Sequence, residues 1–330
     1  MNERVLITGA SGFIGFHLVA AAVQAGLEVY AAVRPTSEVA QLEAFPIKYA
    51  ALDFTDSQAL QKALEEKQYH YIIHAAGTTR ARSEQEYTLI NAGFTKNLAM
   101  AAAAAAMPLR KFVFISSLAA LGPIAYQDTS PIHEQSAPQP VTAYGRSKLL
   151  AEQLLAEVEG LPMVVLRPTA VYGPRERDIF ILLKILSSGL DPYISRQPQR
   201  LSFVHATDLA RAVMLALQAE ALPASYNISD GQSYDRYALA DMTRQVLGKK
   251  AFRFYLPLGL VKVVAGVLEA AYAGQDKAPA LNREKLRELT AENWYCSIDR
   301  IRKELGFVPK YDLATGLAQT LQWYKENKWL

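Results

Sequence analysis

Tyr144 and Lys148 lie four residues apart in AYGRSKLLAE, residues 143–152. Four residues is just over one helical turn, so on a helix both side chains leave from the same face. A phenol held beside an ammonium could move a proton, with the ammonium making the ionisation possible. The same two residues could also open an ordinary solvated helix, and the pair alone does not decide. A second reactive-looking stretch, TGASGFIG, places Gly9, Gly12 and Gly15 after an apolar run and before a helical pattern. A turn there needs backbone freedom, a pyrophosphate needs close backbone approach, and the helix must pack tightly on its strand. The helix N-terminus then offers unpaired N–H groups and a partial positive charge to phosphates. Ser11, Phe13 and Ile14 complete the candidate cofactor set in this loop and first turn. The spacing is G-x-x-G-x-x-G, not the G-x-G-x-x-G of the usual dinucleotide fingerprint.

The choice of dinucleotide is tested at the end of the second strand, where a carboxylate would hold the ribose 2′-hydroxyl of NAD. That position reads AAVRPTS and has no carboxylate. Arg34, with Thr36 and Ser37 close behind, suits the 2′-phosphate of NADP, and the expectation is NADP(H) over NAD(H). Arg34 lying only over the adenine face is the alternative. Asp53, followed by Phe54 in ALDFTD, could accept from the adenine amino group or merely form a turn or cap.

The elements that must position these groups read as alternating strands and helices. RVLITG, EVYAAVR, YIIHAAG, KFVFISS and MVVLRP are strand-like. Helical stretches at residues 13–25, 57–67 and 91–106 separate them, and Ala101–Ala106 reads as a closely packing helix. This alternation predicts an α/β fold, a doubly wound parallel sheet of Rossmann type. After about Gly173 the alternation fades, returns at FVHATDLARAVMLALQ and SYNIS, and gives way to helix. Residues 1–172 and 203–230 are therefore expected to form the dinucleotide domain, with 173–202 and 231–330 as a smaller, mostly helical substrate-binding part.

The chain has 330 residues, 51% of them hydrophobic and 20% charged, with a formal net charge of +3. That is an ordinary globular composition, and so mild a charge, without Lys/Arg clusters, argues against nucleic acid. A lone cysteine, Cys296, and no Cys/His cluster leave neither an intrachain disulfide nor a zinc site to expect. The N-terminus does not read as a signal peptide. The apolar stretch Leu256–Gly274 is interrupted by Lys262 and Glu269 and falls short of the roughly 20 residues of a span. It reads as a buried or substrate-facing helix, with a helix lying on a membrane surface as the second choice. The expected compartment is cytoplasmic.

TGASGFIG, HAAG (74–77), FISS (114–117), YGRSK, RPTAVYGP (167–174) and FVHATDLARA (203–212), in this order, resemble the extended short-chain dehydrogenase/reductase family. Within it the likeness is to the NAD(P)-dependent epimerase/dehydratase and 3β-hydroxysteroid dehydrogenase-like group, over essentially the whole chain. The resemblance implies a Ser–Tyr–Lys site of Ser117, Tyr144 and Lys148, with Lys148 also on the nicotinamide ribose. Free tyrosine has a pKa near ~10, so the ammonium and a positive nicotinamide ring are expected to bring the phenol down. By the same resemblance Ala75, Ala76 and Gly77 let the cofactor pass over the fourth strand. Ser116 faces the cofactor or the backbone, and Pro168 and Val171 border the nicotinamide amide. Asn91, His205 and Asp208 read as structural, with Thr207 or Asp208 capping a helix. The family also implies a homodimer.

Three functions fit. The first is an oxidoreductase interconverting a hydroxyl and a carbonyl on a small substrate, apolar ones included. The second is a nucleotide-sugar epimerase/dehydratase with transient hydride transfer, and the third a non-catalytic NADP(H)-binding redox sensor or scaffold. The intact triad disfavours the third. SRQPQRLSFVH lacks the Gly-Asp-Gly turn of the sugar enzymes and has Ser202 where they carry Asp, which favours the first. Arg196 and Arg200 could still meet phosphates, and Arg80 and Arg82 an anionic substrate.

Overall fold

The computed structural model describes residues 3–220, 223–272, 279 and 281–330. Residues 273–274 of the apolar stretch lie outside the described residues, as do residues 1–2 and 221–222 of the expected dinucleotide domain. The first half runs β1 (Arg4–Thr8), α1 (Phe13–Gln24), β2 (Glu28–Ala32), β3 (Lys48–Ala50), α2 (Ser57–Lys67) and β4 (Tyr71–His74). It continues with α3 (Glu84–Tyr87), α4 (Phe94–Ala104), β5 (Lys111–Ile115), α5 (Ala143–Ala156) and β6 (Met163–Pro168). Then follow β7 (Ala170–Tyr172), α6 (Asp178–Ser187), β8 (Leu190–Ile194), β9 (Arg200–Leu201), β10 (Phe203–His205), α7 (Ala206–Ala216) and β11 (Ala224–Ile228). The chain closes with β12 (Tyr234–Asp235), α8 (Ala238–Leu247), β13 (Phe252–Leu256), α9 (Leu258–Tyr272), α10 (Arg283–Thr290), α11 (Asp299–Leu305) and α12 (Leu313–Glu326).

Seven strands form one sheet in the order β11-β6-β5-β4-β1-β2-β3, every neighbour parallel. The strands read as unbroken apolar runs because both faces are covered. Val5, Ile7, Ile73, Val113, Val164 and Leu166 pack on the side of α1 and α7. Leu6, Ile72, Phe112, Phe114 and Val165 point the other way, onto α2, α4 and α5. Each such fully buried side chain contributes roughly 1.5–3 kcal/mol. The strand order reverses between β1 and β4, which opens a crevice at the carboxyl ends of the strands. The loop with Gly9, the Ala75–Gly77 turn, Ser116–Ser117 and Pro168 all lie at that edge.

Two boundaries differ from the sequence expectation. The alanine run stays helical only to Ala104, and Ala105 is already extended, because Pro108 cannot continue a helix. At its start, α4 is preceded by a wide π turn over Thr88–Gly93, a feature that hydrophobic spacing does not encode.

The second half is mostly helical, as expected. Leu183, Leu186, Leu313, Leu317, Leu321 and Tyr324 pack α6 and α12 together with α8 around Tyr172 and Phe203. No helix among the described residues is long and apolar enough to cross a membrane.

Candidate active site

The glycine loop is built as a cradle of backbone. Gly9 has φ +68, and a Cβ there would stand 2.8 Å from the Ala75 carbonyl and the Ala76 nitrogen. A Cβ on Gly15 would overlap the Gly9 carbonyl oxygen. Only glycine allows β1, the turn after β4 and the start of α1 to approach this closely. Gly12 is the N-cap of α1 and offers no side chain to it, so the first-turn N–H groups of Phe13, Ile14 and Gly15 remain for an anion. Ser11 is half-buried, and its carbonyl accepts from Gln41 Nε2 at 2.6 Å. Gln41 accepts in turn from Arg175, whose guanidinium lies 4.1 Å from the Phe16 ring centre. This clasp over the loop joins residues far apart in sequence and left no signal there. The cradle fits a dinucleotide pyrophosphate.

Arg34 lies just beyond the end of β2, exposed, in a turn closed by Arg34 N–H donating to Ser37 Oγ at 3.1 Å. Asp53 is exposed, and its Oδ1 accepts from Thr55 N and Oγ1 at 2.9 and 2.6 Å. That is the turn-forming arrangement, and it holds the carboxyl below its usual range. Phe54 stacks on Phe94 beside His74.

Tyr144 and Lys148 both lie on α5, which begins at a Thr142 N-cap whose Oγ1 accepts from Gly145 N at 3.0 Å. Gly145 lets that helix press on the Leu118–Ala120 turn, since a Cβ there would overlap the Ala119 carbonyl. Ser117 caps the same turn and hydrogen-bonds to Tyr144. The structure thus brings Ser117 and Tyr144 together. Lys148 is buried and donates to the Ile115 carbonyl at 2.9 Å. A Cβ on Gly77 would stand 3.5 Å from its Nζ, so the ammonium reaches the crevice floor.

The expected lowering of the tyrosine pKa is not what the protein alone provides. Burial pushes the Tyr144 phenol above its ordinary value, and the Ser117 hydrogen bond offsets only part of that. Burial also brings Lys148 down to about 8, with the Glu152 charge working against it. Burial shifts both groups toward their neutral forms, because desolvation penalises phenolate and ammonium alike.

Ser116, adjacent to Ser117, points the opposite way and hydrogen-bonds to Glu152. Glu152 also accepts from Arg167, Nη2 to Oε2 at 2.6 Å, in a buried pair one turn beyond Lys148. What Ser116 presents to the crevice is therefore backbone. Asn91, in the π turn, accepts from Thr78 N at 2.7 Å and donates to Ser147 Oγ at 2.9 Å, bracing the β4 loop against α5. Pro168 ends β6 and Val171 sits in β7. His205, not Thr207 or Asp208, is the N-cap of α7. Asp208 instead accepts from the backbone of Lys310 and Tyr311.

The far side of Tyr144 is made by residues without a sequence signal. Tyr87 meets its ring edge-on at 6.2 Å. Glu284, on α10, accepts from Ala143 N, 141 residues away. The Glu288 charge, also on α10, acts on the phenol and helps to raise it. The arginines considered for anions are engaged elsewhere. Arg80 pairs with Asp178 and Arg82 with Glu86. Arg200 donates to the Asp128 carbonyl and lies over Tyr126, and Arg196 lies over Tyr255.

A family model described as the NAD dependent epimerase/dehydratase family matches residues 5–229. The chain is 28% identical to a ceramide reductase of Caulobacter vibrioides, over 99% of this chain and 96% of the relative. It is also 28% identical to sterol demethylase protein B of Methylococcus capsulatus, over 98% of each. Among solved structures, a UDP-glucose 4-epimerase of Thermotoga maritima with UDP-glucose superposes with a TM-score of 0.80, covering 98% of this chain and 99% of that one. At 20% identity that likeness shows the fold alone. With its glycine cradle, parallel sheet and matched motifs, the chain belongs to the NAD-dependent epimerase/dehydratase family of extended short-chain dehydrogenases/reductases and is an enzyme of that family.

Proposed function

We propose that this enzyme is an NADP(H)-preferring oxidoreductase that interconverts a hydroxyl and a carbonyl on a small apolar substrate. The observation that carries this reading is the charge around Tyr144. From α10 the Glu288 charge acts on the phenol and the Glu284 carboxylate accepts from Ala143 N beside it, while Arg80 pairs with Asp178 and Arg196 and Arg200 lie over Tyr255 and Tyr126. The negative charge nearest the phenol disfavours a diphosphate there. The names of the ceramide reductase and the sterol demethylase protein fit a substrate of this kind.

In this reading residues 1–172 and 203–230 hold the cofactor, and 173–202 with 231–330 meet the substrate. Gly9, Ser11, Gly12, Phe13, Ile14 and Gly15 hold the pyrophosphate, and Arg34 the 2′-phosphate. Asp53, Phe54, Ala75–Gly77, Pro168 and Val171 line the rest. The bound nicotinamide supplies or takes the hydride and, when oxidised, a positive charge. Ser117 orients the substrate oxygen, and Tyr144 gives or takes its proton. Lys148 holds the ribose and steadies the phenolate. A raised phenol pKa suits reduction, in which Tyr144 must start protonated. A cytoplasmic homodimer completes the reading.

Thermal shift with NADPH, NADH, UDP-glucose and a panel of hydrophobic ketones tests it, because ligands of the native state raise Tm by mass action. The expected order is NADPH above NADH, a shift with ketones in the presence of NADP(H), and none with UDP-glucose. A large shift with UDP-glucose would transfer the chain to the sugar enzymes. Arg34→Ala should erase most of the NADPH advantage, and an unchanged advantage removes Arg34 from the 2′-phosphate.

A further inference from the structure

Helix α9 carries its apolar stripe on the wrong side for a core helix. Leu260, Val263, Val264 and Val267 follow the i, i+3, i+4, i+7 spacing of one helical face. They are 55%, 63%, 44% and 62% exposed. Inward, the helix buries only Val261 and Ala265. Single exposed apolar residues are normal, but a contiguous stripe marks a surface that something covers. Beside it, α9 and α10 enclose an open groove of ≈ 740 Å³, with Val263, Val267 and Leu286 in its wall. Among the described residues the charged side chains in its lining are Lys262, Arg283 and Arg287, three cations and no carboxylate.

Charge decides between occupants. An isologous contact with a second copy would set these cations against their own counterparts. The pairs Arg283–Glu269 and Arg287–Glu284 are solvent-exposed and weak. Lys262 has no carboxylate partner among the described residues. An apolar stripe flanked by cations fits acyl chains below anionic headgroups, with the long side chains reaching up to the phosphates. We propose that α9 and the α9–α10 groove dock on the surface of an anionic lipid bilayer. The Leu260–Val267 stripe enters the acyl boundary, and Lys262, Arg283 and Arg287 lie at the headgroups. Glu284 of α10 accepts from Ala143 N, next to Tyr144, so the bilayer lies one helix away from the active site. The docking does not depend on the substrate reading above.

Flotation of the full chain with vesicles of phosphatidylcholine and phosphatidylglycerol tests this. The chain should float with the mixed vesicles and bind phosphatidylcholine alone at least about tenfold more weakly, given about 1 kcal/mol per surface cation. Val263→Glu combined with Val267→Glu should abolish flotation, with Tm reporting that the variant is folded. Lys262→Glu, at an exposed site, should weaken binding to the mixed vesicles while sparing the weak binding to phosphatidylcholine. Failure of the wild type to float overturns the proposal, as does flotation that neither variant changes. A dimer in light scattering that the double variant dissolves would assign the stripe to a second copy and overturn it equally.

Discussion

Tyr144 stands between two sides built on different principles. On the cofactor side the fit is made by backbone, with β1, the Ala75–Gly77 turn and α1 so close that a Cβ at Gly9 or Gly15 finds no room. On the α10 side the fit is made by a few side-chain latches, Glu284 to Ala143 and Tyr87 against the phenol, with an exposed apolar helix behind. Backbone fit tolerates almost no drift in sequence, because every atom of added volume meets peptide. Side-chain latches can be exchanged one at a time.

The largest effect should come from removing the group at the seam. Tyr144→Phe keeps the ring against Tyr87 and takes away only the hydroxyl that exchanges the proton. Turnover should fall at least about 10³-fold, roughly 4 kcal/mol of transition-state stabilisation. The NADPH thermal shift should persist, because the phosphate cradle is untouched. Retained turnover would remove Tyr144 from the chemistry, and loss of both signals would erase the distinction between the two sides. Next comes Gly15→Ala, which forces a methyl into the Gly9 carbonyl and Ala10 backbone. Overpacking of this kind costs about 3 kcal/mol. Urea unfolding should show that loss, with NADPH affinity falling alongside it. A variant as stable as the wild type would mean that the cradle is looser than its contacts.

What could be read from the sequence follows the same division. The glycine loop, the strand runs and the Tyr144–Lys148 face are specified by neighbours within a turn or two, so type and spacing reveal them. Ser116 and Ser117 show the limit of that locality. Both lie in FISS, yet extended backbone sends successive side chains to opposite faces, and only one reaches Tyr144. Glu284 and Tyr87 could not be found, because nothing near Tyr144 in sequence specifies a partner 141 or 57 residues away. The rise of the Tyr144 pKa in the protein alone was not legible for a related reason. A nearby cation is visible in YGRSK, but the burial that raises the phenol exists only once the chain is folded.

Acid should weaken the fold through its buried histidines. His74, at the end of β4, is fully buried between Thr8 Oγ1 at 2.7 Å and Thr95 Oγ1 at 2.8 Å. Burial lowers its pKa from the ordinary 6.5 to about 3. Between those values the unfolded chain takes up a proton that the folded chain refuses, so stability falls as pH drops from 6.5 towards 3. One proton corresponds to about 1.4 kcal/mol per pH unit. His205, brought to about 4 by burial, adds to the slope with the same sign. The test is therefore a difference: His74→Asn should show a shallower fall in urea midpoint between pH 6.5 and 4.5 than the wild type. Equal slopes would mean that His74 does not titrate in this window.

The smallest effect should be the most discriminating, because it repeats the Gly15 substitution where the surroundings are open. Gly266 lies within α9, and among the described residues a Cβ there would meet Arg283 Nη2 at 3.3 Å and nothing else closer than 4.0 Å. That atom is the far end of a flexible side chain, 71% exposed, so it can move aside by the few tenths of an ångström required. What remains is helix propensity, which favours Ala over Gly by up to about 1 kcal/mol. Gly266→Ala should therefore leave Tm equal or slightly raised, opposite in sign to Gly15→Ala. A loss of 2 kcal/mol or more would mean that the α9–α10 face is packed as tightly as the cradle. The contrast between the backbone-built cradle and the side-chain-built α10 side would then fail at its simplest point.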